Sequence, residues 1–268
     1  MRTNNGQILY IPRIGQRANL QHPLMKGCVG WWPLTDGGGG IAKDLVRGND
    51  GTLNGNAAFV SSEIGASLSC SGVSQGGVTA STNPVASLPI TVSAWFKTSN
   101  TSSDMYIIDG DDSSDRIAIY RNAGGSLVAF AGGSRTFSTS SSVIADGNWH
   151  HVVAIYTSSG ITGYFDGEQA ASGSAATTSL SGLRIGGRYS STSNWDGELQ
   201  NIRTYDRALS DSEILQLYTN PWSGLGIPSS TRYFFLSSPP PTINPFSRII
   251  TSSTILNKSG KTVIRRGA

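Results

Sequence analysis

Two Asp-Gly-Glu triplets, Asp166-Gly167-Glu168 and Asp196-Gly197-Glu198, and the pair His150-His151 are the groups whose types could do acid–base chemistry. Glycoside hydrolysis needs two carboxyl groups flanking a sugar bond, one as acid and the other as nucleophile or base. Both triplets coincide with turn signals, and neither has a further carboxylate at E-x-D-x-x-E or E-x-D-x-E spacing. The expectation is therefore no catalytic residue. Adjacent histidines on a strand point to opposite faces, so His150 and His151 cannot serve one site. His22, beside Pro23, lies far away in sequence. The densest acidic run is Asp109-Gly110-Asp111-Asp112-Ser113-Ser114-Asp115. Alternating oxygens there suit a hard cation such as Ca²⁺, but the spacing and the distal Glu of a calcium loop are missing. A solvated hairpin tip is expected, with Asp109, Asp111 and Asp112 as weak metal candidates and no cofactor required. Asp44, Asn49 and Asp50 form a second oxygen cluster of the same kind. A sugar site needs an aromatic platform beside amides or carboxylates, and Trp195, Asn194 and Tyr189 are the candidates; Trp95, mid-strand, is expected to pack.

Strands must position these groups. Only 14% of the residues are charged and 33 are glycine, with Ser/Thr/Gly clusters between short apolar alternations. That spacing of turns is the pattern of an all-β sandwich. In Ile90–Lys97 the residues Ile90, Val92, Ala94 and Phe96 share one face, and Thr91, Ser93, Trp95 and Lys97 the other. The segment starting at Trp149 is largely apolar on both faces, as a central strand is. Asp166-Gly167 supplies the positive φ angles of a tight hairpin. In the strand after Asp196, Leu199, Asn201, Arg203 and Tyr205 alternate with Glu198, Gln200, Ile202 and Thr204. Ser210 and Glu213 form a capping box. Ile214, Leu217 and Tyr218 share one face of the short helix that follows, and Asn220-Pro221 stops it.

The ends differ from the middle. Residues 1–26 hold Arg2, Arg13, Arg17 and Lys26 and no acid, and residues 223–268 hold six basic residues and no acid. Between them, ten basic and 17 acidic residues leave a net charge of −7. The chain therefore reads as a basic arm (1–26), a folded domain (27–222) and an extended basic arm rich in Pro, Ser and Thr (223–268). The second arm carries apolar clusters at Tyr233-Phe234-Phe235-Leu236, Ile249-Ile250, Ile255-Leu256 and Val263-Ile264. Such clusters, with Arg232, Arg248, Lys258, Arg265 and Arg266, are expected to contact a partner surface. No stretch approaches the ~20 apolar residues of a membrane span. The first residues lack the design of a signal peptide, so Cys28 and Cys70 are expected as free buried thiols rather than a disulfide.

Several segments, in order, carry a family resemblance. Trp31-Trp32-Pro33-Leu34, Lys43–Gly55, Ile90–Lys97, the Asp146-Gly147-Asn148-Trp149-His150-His151-Val152 strand, Tyr164-Phe165-Asp166-Gly167, Leu183–Gly187 and Arg207-Ala208-Leu209-Ser210 resemble the laminin-G-like, concanavalin A-like jelly-roll domains. The resemblance covers roughly residues 27 to 222. It implies two packed antiparallel sheets, one short C-terminal helix and extended terminal arms. The layout of the whole chain also resembles that of laminin-G-like structural proteins of tailed bacteriophages. It implies a non-enzymatic virion protein, assembled in the host cytoplasm, most simply a capsid decoration protein. Its partners would be capsid or other virion proteins and sister subunits in a homo-oligomer, with no membrane and nucleic acid disfavoured. The alternative is a carbohydrate-binding adhesion module that takes a surface glycan; a glycoside hydrolase ranks third.

Overall fold

The period-2 segments form strands because alternate apolar side chains then share one buried face. The computed structural model describes residues 15–226 except 73–75, 81–84, 86, 102, 111–115, 137–140, 175–181 and 189–192, and the backbone of residues 3–4, 7–8, 254–256 and 262–264. The chain opens with β1 (Thr3–Asn4) and β2 (Gln7–Ile8), paired with each other. Next come β3 (Cys28–Trp32), β4 (Ile41–Ala42), β5 (Gly51–Asn54), β6 (Ala58–Ser62), β7 (Gly65–Ser71), β8 (Gly77–Ala80) and β9 (Ile90–Lys97). The hairpin pair β10 (Met105–Asp109) and β11 (Ile117–Arg121) is followed by β12 (Leu127–Ala131), β13 (Ser134–Thr136) and a single turn, α1 (Ser141–Ile144). Then follow β14 (Trp149–Tyr156), β15 (Ile161–Phe165), β16 (Glu168–Gly173), β17 (Leu183–Ile185), β18 (Asp196–Tyr205) and α2 (Asp211–Thr219). A short hairpin, β19 (Thr254–Leu256) and β20 (Thr262–Ile264), ends the described residues.

Two antiparallel sheets make the jelly-roll sandwich. The first runs β13-β12-β11-β10-β17-β8-β5-β4; the second runs β16-β15-β14-β9-β18-β7-β6, with β3 also on β18. The main core lies between them. Val92, Phe96, Val152, Leu199 and Ile202 of the second sheet meet Val78, Ile107, Ile119, Ala129 and Ile185 of the first, with Trp32 and Trp195 filling the ends. Burying each such aliphatic or aromatic side chain stabilises by roughly 1.5–3 kcal/mol. A third layer covers the second sheet. Val153, Ile155, Tyr164 and Tyr205 pack beneath Leu209, Ile214 and Leu217, with Leu24, Met25, Trp31 and Trp222 around them. Strand β14 is thus apolar on both faces because both are covered. The helix starts at the expected cap, Ser210 Oγ accepting from the Glu213 N–H while Glu213 receives the Ser210 N–H.

Strand β18 departs from strict alternation. Asn201 has φ +55° and the register with β9 shifts between Gln200 and Arg203. This bulge turns Leu199 and Ile202 both into the main core and leaves Arg203 on the opposite face. The cause is a change of neighbour along one edge: residues 196–199 pair with β7, whereas Ile202–Tyr205 pair with β3. An extra residue at the junction lets both pairings form.

The folded body exceeds residues 27–222. Ala18 bridges Leu225, the Asn19 N–H donates to Gly224 O at 2.7 Å, and Leu24 and Met25 are buried. Contacts divide the chain into Met1–Pro228 and Ser229–Ala268. In the second unit Ile255 pairs with Val263, so two of the apolar clusters pair with each other. Arg232, Tyr233, Phe234, Phe235, Arg248, Ile249, Ile250, Lys258, Arg265 and Arg266 lie outside the described residues. Both cysteines are free and buried. Cys28 is opposite Tyr205 and Cys70 opposite Gly197, eight residues apart along β18. At ~3.3 Å per residue no bond could join them. Burial pushes both thiols up to about 12.

Candidate functional site

Three of the four carboxylates of the two triplets, Asp166, Asp196 and Glu198, are engaged by donors of the fold. Tight hairpin geometry holds Asp166 at φ +48° and Gly167 at φ +87°. There Asp166 Oδ1 accepts the His151 N–H at 2.8 Å, and Oδ2 lies 2.8 Å from His150 Nδ1. Glu168 is exposed at the start of β16. Asp196 accepts from Asn100 Nδ2 at 2.9 Å, while Glu198 accepts from Ser67 Oγ at 2.6 Å and lies 4.0 Å from Lys97 Nζ.

The histidines do point to opposite faces. His150 sits between Asp166 and Asp146, at 2.8 and 3.1 Å, against the rings of Phe96 and Phe165. Burial opposes its charge, but the two carboxylates win and raise its pKa. His151 Nε2 lies 2.8 Å from Ser93 Oγ, and its ring stacks on Trp95 at 5.2 Å. A serine–histidine pair at this distance could in principle form a nucleophile and base. Both residues are buried beneath Tyr218 of α2, however, and desolvation lowers the His151 pKa to about 3. The pair holds two strands to a helix.

Neither oxygen cluster is open to a cation among the described residues. Asp44 Oδ1 accepts the N–H groups of Trp31 and Val46, and Oδ2 those of Arg47 and Asn49, all at 2.9–3.1 Å. Asp50 Oδ1 accepts the Asp44 N–H. One carboxylate thus closes the first loop with four backbone donors, a role any loop of this tightness needs filled. Asp109 is buried and paired with Arg116 Nε at 2.8 Å. Asp111 and Asp112 lie outside the described residues. No group of three metal-ligating side chains occurs among those described.

Trp195 does not stand at the surface. It is fully buried in the main core, edge-on to Phe96 at 5.5 Å, because the strand it enters faces inward there. Tyr189 lies outside the described residues. Asn194 stands at a polar cluster, bridging the backbone of Tyr106 on the first sheet.

That cluster occupies the outer face of the first sheet. Tyr106 and Tyr120, on neighbouring strands, stack at 4.7 Å, with Val128 and Phe130 beside them. Arg116 lies over Phe130 at 5.1 Å, and Arg188 over Tyr106 at 5.8 Å. Arg184, on β17, is directly opposite Asp109 in the register, yet Asp109 pairs with Arg116. Nε and Nη2 of Arg184, Nε of Arg188, and both amide atoms of Asn194 are buried without a hydrogen-bond partner. Arg184 is 8% exposed and Asn194 2%. Buried polar groups are nearly always bonded, so these five atoms are exceptions within the described fold. From sequence, Leu183–Gly187 reads only as a strand; an arginine between two core residues, followed by Gly186-Gly187, is the available signal.

A separate cleft of about 530 Å³ lies beside the first loop, lined by residues including Arg17, Leu20, Thr35, Asp36, Lys43 and Leu225. Its acidic groups are largely used internally: Lys43 pairs with Asp50, and Asp44 closes the loop. Burial raises the pKa of Asp36.

The profile described as the concanavalin A-like lectin/glucanases superfamily matches residues 72–215. No curated protein matches the chain. Among solved structures, domain 4 of AbnA, an extracellular arabinanase of Geobacillus stearothermophilus in complex with arabinotriose, is 17% identical with a TM-score of 0.57. The match covers 71% of this chain and 98% of that one. The sialidase of Trypanosoma rangeli, in complex with sialic acid, is 19% identical with a TM-score of 0.56, over 74% of this chain and 34% of its own length. The binding domain of Paraclostridial Mosquitocidal Protein 1 is 16% identical with a TM-score of 0.57, over 72% of this chain and 52% of that one. At these identities the likeness is one of fold.

Proposed function

The chain belongs to the concanavalin A-like lectin/glucanases superfamily, and from that footing we propose that it is a non-enzymatic binding module whose jelly roll holds a saccharide. One observation carries this reading: the unpartnered hydrogen-bonding groups of Arg184, Arg188 and Asn194 beside the Tyr106–Tyr120 pair. Sugar recognition needs such fixed polar groups next to aromatic surface. The arabinotriose held by a domain of the same fold supports it. The non-catalytic half of the proposal rests on Asp166, Asp196 and Glu198, which are tied into hairpin, loop and inter-strand bonds and leave Glu168 without a second free carboxylate in either triplet. The test is a saccharide array probed with the full chain, with ligands recovered and sized afterwards. Retention of a discrete class of saccharide, unshortened, is expected. No retention, or release of reducing sugar that is lost in Glu198→Gln or Glu168→Gln, would overturn the proposal.

A second reading concerns where the module is held. Residues 1–26 and 223–268 are basic without an acid, whereas 27–222 are net acidic, and Ser229–Ala268 forms a unit of its own. On that observation we propose attachment to a larger particle, a bacteriophage virion, with the chain as a capsid decoration protein. Capsid protein and sister copies would then be the partners of the terminal basic and apolar residues, and the saccharide face would look outward.

A further inference from the structure

We infer that the ligand of the outer face of the first sheet is an acidic saccharide, its carboxylate or sulfate held by Arg184 and Arg188, with Asn194 beside them. This rests on the saccharide-binding reading above and narrows it. Three guanidinium groups, of Arg116, Arg184 and Arg188, converge around Tyr106 and its neighbours, and Asp109, the carboxylate described among them, pairs with Arg116. Among the described residues the cluster therefore carries a surplus of two positive charges. A buried charge without a counter-charge is strongly disfavoured, and a neutral sugar would leave it so. An anion would meet both needs at once, and a guanidinium binds carboxylate or sulfate oxygens through paired N–H donors. The backbone is shaped for the arrangement. A Cβ on Gly187 would stand 2.5 Å from Asn194 Oδ1 and 3.1 Å from Arg184 Nε, so only glycine lets these two side chains meet beside the chain. Arg188 is half-buried, the more exposed of the two arginines.

The experiment titrates the full chain with polygalacturonate, which carries carboxylates, with dextran sulfate, and with neutral arabinan and dextran. Variants are Arg184→Met, Arg188→Gln and Lys97→Gln, the last a charge control on the second sheet. Wild type is expected to bind a carboxylated or a sulfated polymer at least tenfold more tightly than the neutral ones, and which polymer wins identifies the anion. Arg184→Met is expected to lose at least tenfold in that affinity while its melting temperature stays level or rises, since an uncompensated buried charge has been removed. Lys97→Gln should bind as wild type. Three outcomes overturn the inference. In the first, neutral polymers bind as tightly as acidic ones and Arg184→Met is without effect, which leaves the saccharide reading standing. In the second, Arg184→Met lowers the melting temperature by several degrees, which makes the arginine structural; Arg188→Gln, at the more exposed arginine, then still reads binding apart from folding. In the third, no polymer binds, and the saccharide reading falls with it.

Discussion

His151 is the residue whose ionisation the fold opposes most clearly. Desolvation beneath α2 holds its pKa near 3, far below the ordinary 6.5. The unfolded chain binds that proton from pH ~6.5 downward while the folded chain does not, so stability falls as pH falls through this window. Between pH 7 and pH 5 the His151 contribution alone should fall by about 2 kcal/mol, partly offset in the whole chain by His150, so the comparison with His151→Gln isolates it. Urea midpoints at the two pH values measure it, and His151→Gln should remove most of the difference. His150 has the opposite sign. Its folded pKa is raised, so its contribution is complete below ~6.5 and is lost as pH rises through the folded value. His150→Gln should therefore cost more at pH 6 than at pH 9. That the two rings part company was legible from strand period alone. The hold of Asp166 on both residues was not, because it forms across a hairpin from fifteen positions away.

At the scale of elements, the bulge in β18 joins sequence to architecture. Asn201 adopts φ +55°, accepts from Trp31 Nε1 at 2.6 Å and donates to Pro221 O at 2.6 Å. Arg203 stacks on Trp31 at 3.7 Å and reaches the same Pro221 oxygen. Asn201→Leu would lose these bonds, orphan the Trp31 N–H and impose a side chain poorly suited to that φ. A cost of about 3 kcal/mol or more is expected from equilibrium denaturation. The strands, the hairpin at Asp166-Gly167 and the capping box were readable because each is fixed by local pattern. The bulge was not, since it follows from β18 exchanging one neighbour for another. The arginine cluster escaped for a related reason: its members come from the residue before β11, from β17 and from the chain between β17 and β18, and only folding brings them to one face. Trp195 misled because an aromatic after a polar loop looks exposed until the sheet above it is in place. The first loop was read as oxygen-rich without showing that its own N–H groups consume the oxygens of Asp44. Thermal melts in calcium and in chelator should accordingly coincide within about 1 °C; a larger shift, removed by Asp111→Asn with Asp112→Asn, would place a cation in the acidic run.

At the scale of the whole molecule, the chain divides into two units, Met1–Pro228 and Ser229–Ala268. Because Leu225 and Gly226 pack with residues 16–18, a truncation that spares the body must end after Pro228. Removing 229–268 should leave the melting temperature within about 2 °C of the full chain and the saccharide affinity unchanged. Its effect should fall on incorporation into a particle, measured by co-sedimentation with assembled virions. In the full chain that association should weaken with salt as the Debye length falls from ~10 Å at 0.1 M to ~3 Å at 1 M, without vanishing, because apolar contacts persist. Wild-type incorporation by the truncated chain would rule out the C-terminal segment as an anchor and leave a free adhesion module. The central claim is that this body binds a saccharide and leaves it intact. Calorimetric titration of the full chain with the oligosaccharide retained best on the array, followed by chromatography of the recovered ligand, tests it most directly. The account predicts saturable binding, lost in Arg184→Met, and a ligand recovered at its original length; no saturable heat, or a shortened ligand, would contradict it.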